Sequence, residues 1–223
     1  MISGRPPALL IGIDTEGDNQ WELRARQHQT FDSIYALPRL HELFERHGAR
    51  PTYLVTYPVA ADTRCADTLR AVLERGNAEV GAHHHAWETP PFDTADVAAH
   101  RYALSLPLSQ FDAQLDSLTK TIDAAVGRKP VSYRSGRFGF CAAHVSSLER
   151  RGYTSDSSVV PLFCERHKGG PDFAEAPLTP YFLSYDNVAA PGSSSVVELP
   201  VSAALNRPIN GALARAYARA PCG

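Results

Sequence analysis

The sequence predicts an α/β fold built on a parallel sheet. Three observations predict it. Apolar runs of strand length alternate with stretches of helical periodicity, the connections between them are mostly short, and four of the strand-like runs end in polar or charged residues. Strands and helices in alternation are the pattern of βαβ units, whose neighbouring strands lie parallel. In such folds the functional groups collect at the carboxyl ends of the strands. Here those ends carry Asp14 with Glu16, then His83 to His85, then Arg134, then Asp156.

Taken in order, residues 8–14 (ALLIGID) are a continuous apolar run ending in an acid, as expected of a strand buried on both faces. Residues 31–48 carry Ile34, Leu37, Leu40, Leu43 and Phe44 at helical spacing, with Gly48 as a stop and Pro38 as a first-turn residue or a break. The second strand is PTYLVTYPVA, and a helix across Thr63–Arg75 ends at Gly76. AEVGAHHH reads as the third strand. After a loop, an amphipathic helix from Leu108 to Gly127 lines up Phe111, Leu115, Leu118, Ile122 and Val126 on one stripe. PVSYRSG is the fourth strand, a helix follows over Ala142–Arg151, and YTSDSSVV is the fifth strand. Residues 165–196 are rich in Pro, Gly and Ser and read as a long loop. One more strand is legible at 194–202, and a short Ala/Arg helix closes the sequence.

A chain of 223 residues is long enough for one sizeable core, so residues 1–223 are read as a single domain. With 43% hydrophobic and 21% charged residues it has an ordinary globular composition. A net charge of −2, with no basic run, argues against a nucleic-acid partner. The apolar stretch before Asp14 is too short for a signal peptide or a membrane span, so the expected location is the cytoplasm, with no membrane partner. Cys65, Cys141, Cys164 and Cys222 are scattered without a C-x-x-C pair, which predicts reduced, mostly buried thiols.

The stretch richest in chemistry is Glu79 to Phe92, EVGAHHHAWETPPF. Alternate residues of a strand share a face, so His83 and His85 point one way and His84 the other. At about 3.3 Å per residue, alternate Cα atoms lie roughly 6.6 Å apart, close enough for two imidazoles to converge on one divalent ion. His84 is expected to be structural. Trp87, Pro90 and Pro91 either wall the metal or cap the strand. In IDTEGDN the same alternation places Asp14 and Glu16 on one face, so that one can complete a metal site of two histidines and an acid while the other serves as general base. Asp18 is a third candidate. Arg134 and Arg137 lie on either side of Gly136, and an arginine beside a carboxylate base keeps it ionised. Asp156 is either a partner of Arg134 or a turn acid.

Together these strand-end acids, the histidine cluster after E-V-G-A, the arginine motif and D-S-S resemble the polysaccharide deacetylase family, the NodB-homology carbohydrate esterases. IDTEGDN and EVGAHHHAWETPPF look closest to its WalW-like branch. The resemblance covers roughly residues 8–202. It implies a distorted, incomplete (β/α) barrel with a zinc-type metal at its mouth and a carbohydrate or small amide as substrate. The reaction it implies is removal of N- or O-acetyl groups; hydrolysis of cyclic amides, or a non-catalytic domain that keeps the cleft, are its alternatives. By the family's motifs, Asp14 takes the base position, Glu16 or Asp18 a metal position, His83 the first histidine, Arg134 the arginine that orients the base, and Asp156 the fourth motif. The family spaces its two histidines four apart, but Trp87 stands at that position here, so His85 substitutes. Trp87 and Arg137 are expected to touch substrate, and Trp21, Phe138 and Phe140 either stack on a sugar ring or pack. The family's late histidine, which protonates the leaving group, has no counterpart after His167, and a C-terminal truncation of the barrel is the expected reason.

Overall fold

Six parallel strands and one antiparallel strand form a single sheet in the computed structural model, which describes residues 8–22, 28–92 and 102–203. The strands are β1 (Ile11–Thr15), β2 (Pro51–Val55), β3 (Glu79–His84), β4 (Ser132–Ser135), β5 (Ser155–Asp156), β6 (Tyr181–Phe182) and β7 (Val197–Glu198). Their order in the sheet is β1-β2-β3-β4-β5-β7-β6, with β6 running antiparallel on β7. Each of the first five strands lies beside its predecessor, which is the winding of a (β/α) barrel; a doubly wound sheet reverses its order at a switch point. The outer strands β1 and β6 do not pair with each other among the described residues, so the barrel is open. This is the α/β parallel sheet that the sequence predicts, in the distorted, open barrel that the resemblance implies.

The helices are α1 (Asp32–Tyr35), α2 (Leu37–Arg46), α3 (Tyr57–Ala61), α4 (Thr63–Glu74), α5 (Leu108–Val126) and α6 (Val145–Arg150). The expected stripe of α5 is the centre of the core: Phe111, Leu115, Leu118 and Ile122 are each 0% exposed. Burying a side chain of that size contributes about 1.5–3 kcal/mol relative to leaving it in water. Gly127 ends α5 at φ +69°, a conformation that costs a side chain strain and glycine little.

Several expectations are corrected. The first strand is not buried on both faces: Leu9 and Leu10 precede β1 and are exposed, because β1 is an edge of the sheet. The predicted strand PTYLVTYPVA stops at Val55, and Tyr57–Ala61 turn into α3. Pro58 explains the change, since it has no N–H for a ladder and fits the first turn of a helix. The helix over 31–48 divides at Ala36, with Pro38 in the first turn of α2. β6 lies within the stretch read as loop. Cys65 and Cys141 are free as expected, but Cys164 is disulfide-bonded, so the expectation of reduced thiols fails there. The closing Ala/Arg helix falls outside the described residues. Among the described residues no helix is long and apolar enough to cross a membrane.

Candidate metal and hydrolytic centre

The sheet curls enough that Arg134 on β4 reaches Asp14 on β1, across the two strands between them, with Nη1 2.6 Å from Asp14 Oδ1. Gly12 keeps that path open, since a Cβ there would stand 2.8 Å from Arg134 Nη2. The guanidinium is also fixed from behind, donating from Nε to the Ser157 carbonyl at 3.0 Å and to its hydroxyl at 3.1 Å. An arginine held at both ends presents its charge to Asp14 with little freedom left to lose.

Beside this pair, His83, His85 and Glu16 converge. Glu16 Oε2 lies 2.9 Å from His85 Nε2 and 3.7 Å from His83 Nε2, and one ligating atom from each residue falls within 4.8 Å of the others. Donors around a tetrahedral zinc, each about 2.0–2.2 Å from the ion, stand roughly 3.4 Å apart, so this spread fits one cation. The tautomer of His83 gives an independent test. Its Nδ1 faces the Arg134 carbonyl at 3.1 Å, and a carbonyl only accepts, so Nδ1 carries the proton. Nε2 is then a bare lone pair directed at two carboxylates, Glu16 at 3.7 Å and Asp14 at 3.9 Å. Three acceptors facing one another repel unless a positive charge lies between them. A ligating histidine whose other nitrogen donates to a backbone carbonyl is the usual arrangement around a bound metal. The donor set therefore fits a divalent cation.

The electrostatics agree. Burial pushes His83 down to about 4, against the pull of Asp14 and Glu16, so the imidazole is neutral at neutral pH. Burial alone raises the Asp14 carboxyl, but His83, Arg134 and His85 together bring it below the usual carboxylate range. Burial raises Glu16, opposed by His83 and reinforced by the charge of Asp14. Two acids two residues apart are thus driven in opposite directions. Both acids feel His83, but Asp14 also has the Arg134 guanidinium and the charge of His85, whereas Glu16 has the charge of Asp14 against it.

The remaining predicted residues are placed as follows. His84 faces away from the cluster, as the alternation requires: its Nε2 lies 2.8 Å from Gln114 Oε1 and its ring packs edge-on against Phe111. Gln114 donates onward to the carbonyls of Ala86 and Pro91, anchoring the segment after β3. Asp18 is withdrawn from the cluster: it accepts from Thr30 Oγ1 at 2.9 Å, Asp32 N at 2.7 Å and Ser33 N at 3.0 Å, and so tethers the start of α1. Asp156 does not hydrogen-bond Arg134. It accepts from Ser158 Oγ at 2.6 Å and Ser158 N at 3.1 Å, and its register partner on β7 is a second buried acid, Glu198. Trp87 is buried against His85, with ring centroids 4.2 Å apart, and forms one wall of the cluster. Arg137 turns its guanidinium toward Trp21 and Tyr102. Phe140 is core, packed near Tyr133 and His144, and Phe138 packs near Phe163, whereas Trp21 is 56% exposed and edge-on to His85.

Three contributors are given no role by the sequence reading. Ser157 holds Arg134, and its signal was present in D-S-S, next to the acid that drew attention. Gly136 gives His85 its place, since a Cβ there would meet Nδ1 at 2.2 Å. Glu198 pairs with Asp156, and no local pattern marks it.

No protein-family model and no curated protein matches the sequence. Solved structures do. A candidate polysaccharide deacetylase from Mycobacterium smegmatis superposes with a TM-score of 0.59 at 17% identity, over 86% of this chain and 58% of that one. A candidate glycoside hydrolase/deacetylase from Parabacteroides distasonis gives 0.61 at 17% identity, over 86% of this chain and 44% of that one. The 4-alpha-glucanotransferase of Thermococcus litoralis gives 0.50 at 15% identity, over 86% and 27%. The chain thus spans about half the length of the first two. At these identities the likeness concerns the fold, and the fold is one that polysaccharide deacetylase structures share with a glucanotransferase structure.

Proposed function

We propose that this chain is a metal-dependent hydrolase that removes N- or O-acetyl groups from a carbohydrate, and that the pattern of IDTEGDN and EVGAHHHAWETPPF puts it nearest the WalW-like branch of the polysaccharide deacetylases. One observation carries the reading: a cation-shaped set of donors, Glu16, His83 and His85, lies beside a separately ionised carboxylate, Asp14, that an arginine holds in place. Glu16, His83 and His85 would hold the metal, and the two nitrogen donors beside one carboxylate favour zinc among divalent ions. A cation there supplies a Lewis acid and lowers the pKa of a coordinated water toward about 7.

The chain's own groups do the rest. Arg134 occupies Asp14 Oδ1 and leaves Oδ2 turned toward the cluster, 3.9 Å from His83 Nε2. Asp14 Oδ2 accepts the proton of a water attacking the acetyl carbonyl, and Arg134 keeps Asp14 ionised until it does so. The same proton passes to the departing amine or hydroxyl oxygen as the acyl C–N or C–O bond breaks and acetate leaves. Trp87 excludes water from one side of His85.

Glycosyl transfer, the activity in the name of one structural neighbour, fits less well. Retaining and inverting chemistry on a sugar both use two carboxyl groups free to face the glycosidic bond from opposite sides. Here Asp14 is committed to Arg134 and Glu16 to His85. The test is acetate release from chitooligosaccharides and acetylated xylan by the zinc-loaded protein, with maltooligosaccharide disproportionation as the opposing assay. Transfer without acetate release ends the deacetylase reading.

A further inference from the structure

Beside the proposed metal centre stands a guanidinium that no described acid neutralises. Arg137 follows Gly136, the residue against which His85 rests, and makes no ion pair within 4.0 Å with any described residue. Its Nε is buried and has no hydrogen-bond partner among the described residues. The guanidinium carbon lies 5.1 Å from the Tyr102 ring centroid and 5.7 Å from that of Trp21. Tyr102 is itself fixed, donating its hydroxyl to Glu165 at 2.7 Å, and Trp21 stands exposed at the rim with its ring 5.9 Å from that of His85.

The backbone is strained to achieve this. Arg137 and Phe138 are successive non-glycine residues in the left-handed region, at φ +54° and +59°. That conformation costs roughly 1–2 kcal/mol for each L residue and tends to persist where a ligand-facing group must be aimed. A buried guanidinium nitrogen without an acceptor is a further cost, relieved when an anion supplies one. The buried Tyr102 ring backs the guanidinium, the exposed Trp21 ring at the rim suits a sugar face, and the planar fork suits a carboxylate or sulfate oxygen pair.

We infer that Arg137, with Trp21 and Tyr102, forms a subsite for an anionic group carried on the saccharide, so that the substrate is an acidic glycan and not a neutral one. This rests on the carbohydrate reading above and refines it. A charge-assisted contact to an otherwise unpaired arginine favours the acidic ligand by about tenfold or more.

The experiment is calorimetric binding of three probes to the zinc-loaded full chain: chitotetraose, which is neutral, a hyaluronan tetrasaccharide, which carries carboxylates, and a keratan sulfate tetrasaccharide, which carries sulfates. The acidic probes are expected to bind at least about tenfold tighter than chitotetraose, with an advantage that shrinks as salt is raised. The stronger of the two identifies the anion. In Arg137→Gln the ratio of acidic to neutral affinity falls toward one, and Arg137→Lys recovers part of it. Should Arg137→Gln fold poorly, the salt dependence of the wild-type ratio carries the test. Equal affinities in the wild type, no binding of any probe, or an unchanged ratio in Arg137→Gln overturns the inference. Selective binding without acetate release leaves the subsite standing and removes the deacetylase reading, so the two fail separately.

Discussion

Asp14 and Asp156 are the same residue at the ends of parallel strands in one sheet, yet their carboxyl groups sit in opposite electrostatic states. Asp14 is half-open to solvent, touches Arg134 and lies near two histidines, and its pKa is drawn down although burial works the other way. Asp156 is 1% exposed, accepts its hydrogen bonds from Ser158 and feels Arg134 only at a distance, and burial raises its pKa. Arg134 lies between the two strands but spends its donors on Asp14 and Ser157. The comparison shows that strand-end position makes an acid available, while its ionisation follows from which one the single cation reaches. Asp14 is equipped to accept a proton; Asp156 and Glu198 are equipped to share one.

The mouth side of that contrast breaks most sharply if a donor is removed. His83→Ala leaves two of the three converging ligands, and bound zinc, measured by elemental analysis after dialysis, should fall from one per chain to a small fraction. Metal affinity should drop by more than about 100-fold, since even outer groups that only support ligands cost 10–100-fold. Zinc retained at full stoichiometry would move the metal elsewhere. The next largest effect is expected from Arg134→Gln, which keeps the metal but frees Asp14. Turnover should fall by about 10²–10⁴, the usual worth of a positioned acid or base. Arg134→Lys should recover little, because one ammonium cannot hold Ser157 and Asp14 together.

How legible this was follows from the range of each interaction. The face shared by His83 and His85, and by Asp14 and Glu16, depends only on the two-residue period of a strand, so their convergence was readable from the order of residues. The stripe of α5 was readable for the same reason at period 3.6. Asp156 stayed open between a partner of Arg134 and a turn acid because its register partner, Glu198, arrives from β7 after a long irregular stretch whose course no local pattern fixes. The edge position of β1 was equally invisible: ALLIGID has the composition of a central strand, and only the sheet order exposes it. The helical turn at Tyr57–Ala61 was within reach, since Pro58 stands where a strand needs a donor.

Smaller effects test the buried groups. His144 lies flat on Phe111, centroids 3.7 Å apart, and burial pushes it down to about 3 from an ordinary value of 6.5. Its folded pKa is depressed, so between those two values the unfolded chain binds the proton and the folded chain does not. The stability it contributes is present above pH 6.5 and is lost as pH falls toward 3. At pH 5 that loss amounts to about 2 kcal/mol at roughly 1.4 kcal/mol per pH unit. Urea unfolding at pH 7 and pH 5 should show a drop in the wild type that is smaller by that amount in His144→Phe; equal drops would mean that the imidazole is protonated in place.

The acid pair behind Arg134 gives the opposite slope. Two buried carboxyl groups on paired strands cannot both carry charge cheaply, and burial followed by the charge of Asp156 raises Glu198 well above its ordinary value of 4.5, so the pair keeps one proton. A raised folded pKa means that the native state holds the proton more tightly than the unfolded chain. The pair's contribution is therefore complete below 4.5 and is lost as pH rises from there through the folded value. Glu198→Gln keeps an oxygen for Val159 N, which Glu198 Oε1 accepts at 3.1 Å, and supplies a permanent donor for Asp156. The variant should be more stable than wild type at pH 8 by about 1 kcal/mol, the net worth of one hydrogen bond, and the gain should vanish near pH 4. Asp14 offers the counterexample within the same sheet: Asp14→Asn should gain nothing at pH 8, because there the ionised form is the one that Arg134 holds. If Glu198→Gln is instead destabilised at pH 8 while Asp14→Asn is not, the proton does not reside on this pair, and the contrast between the two strand ends fails.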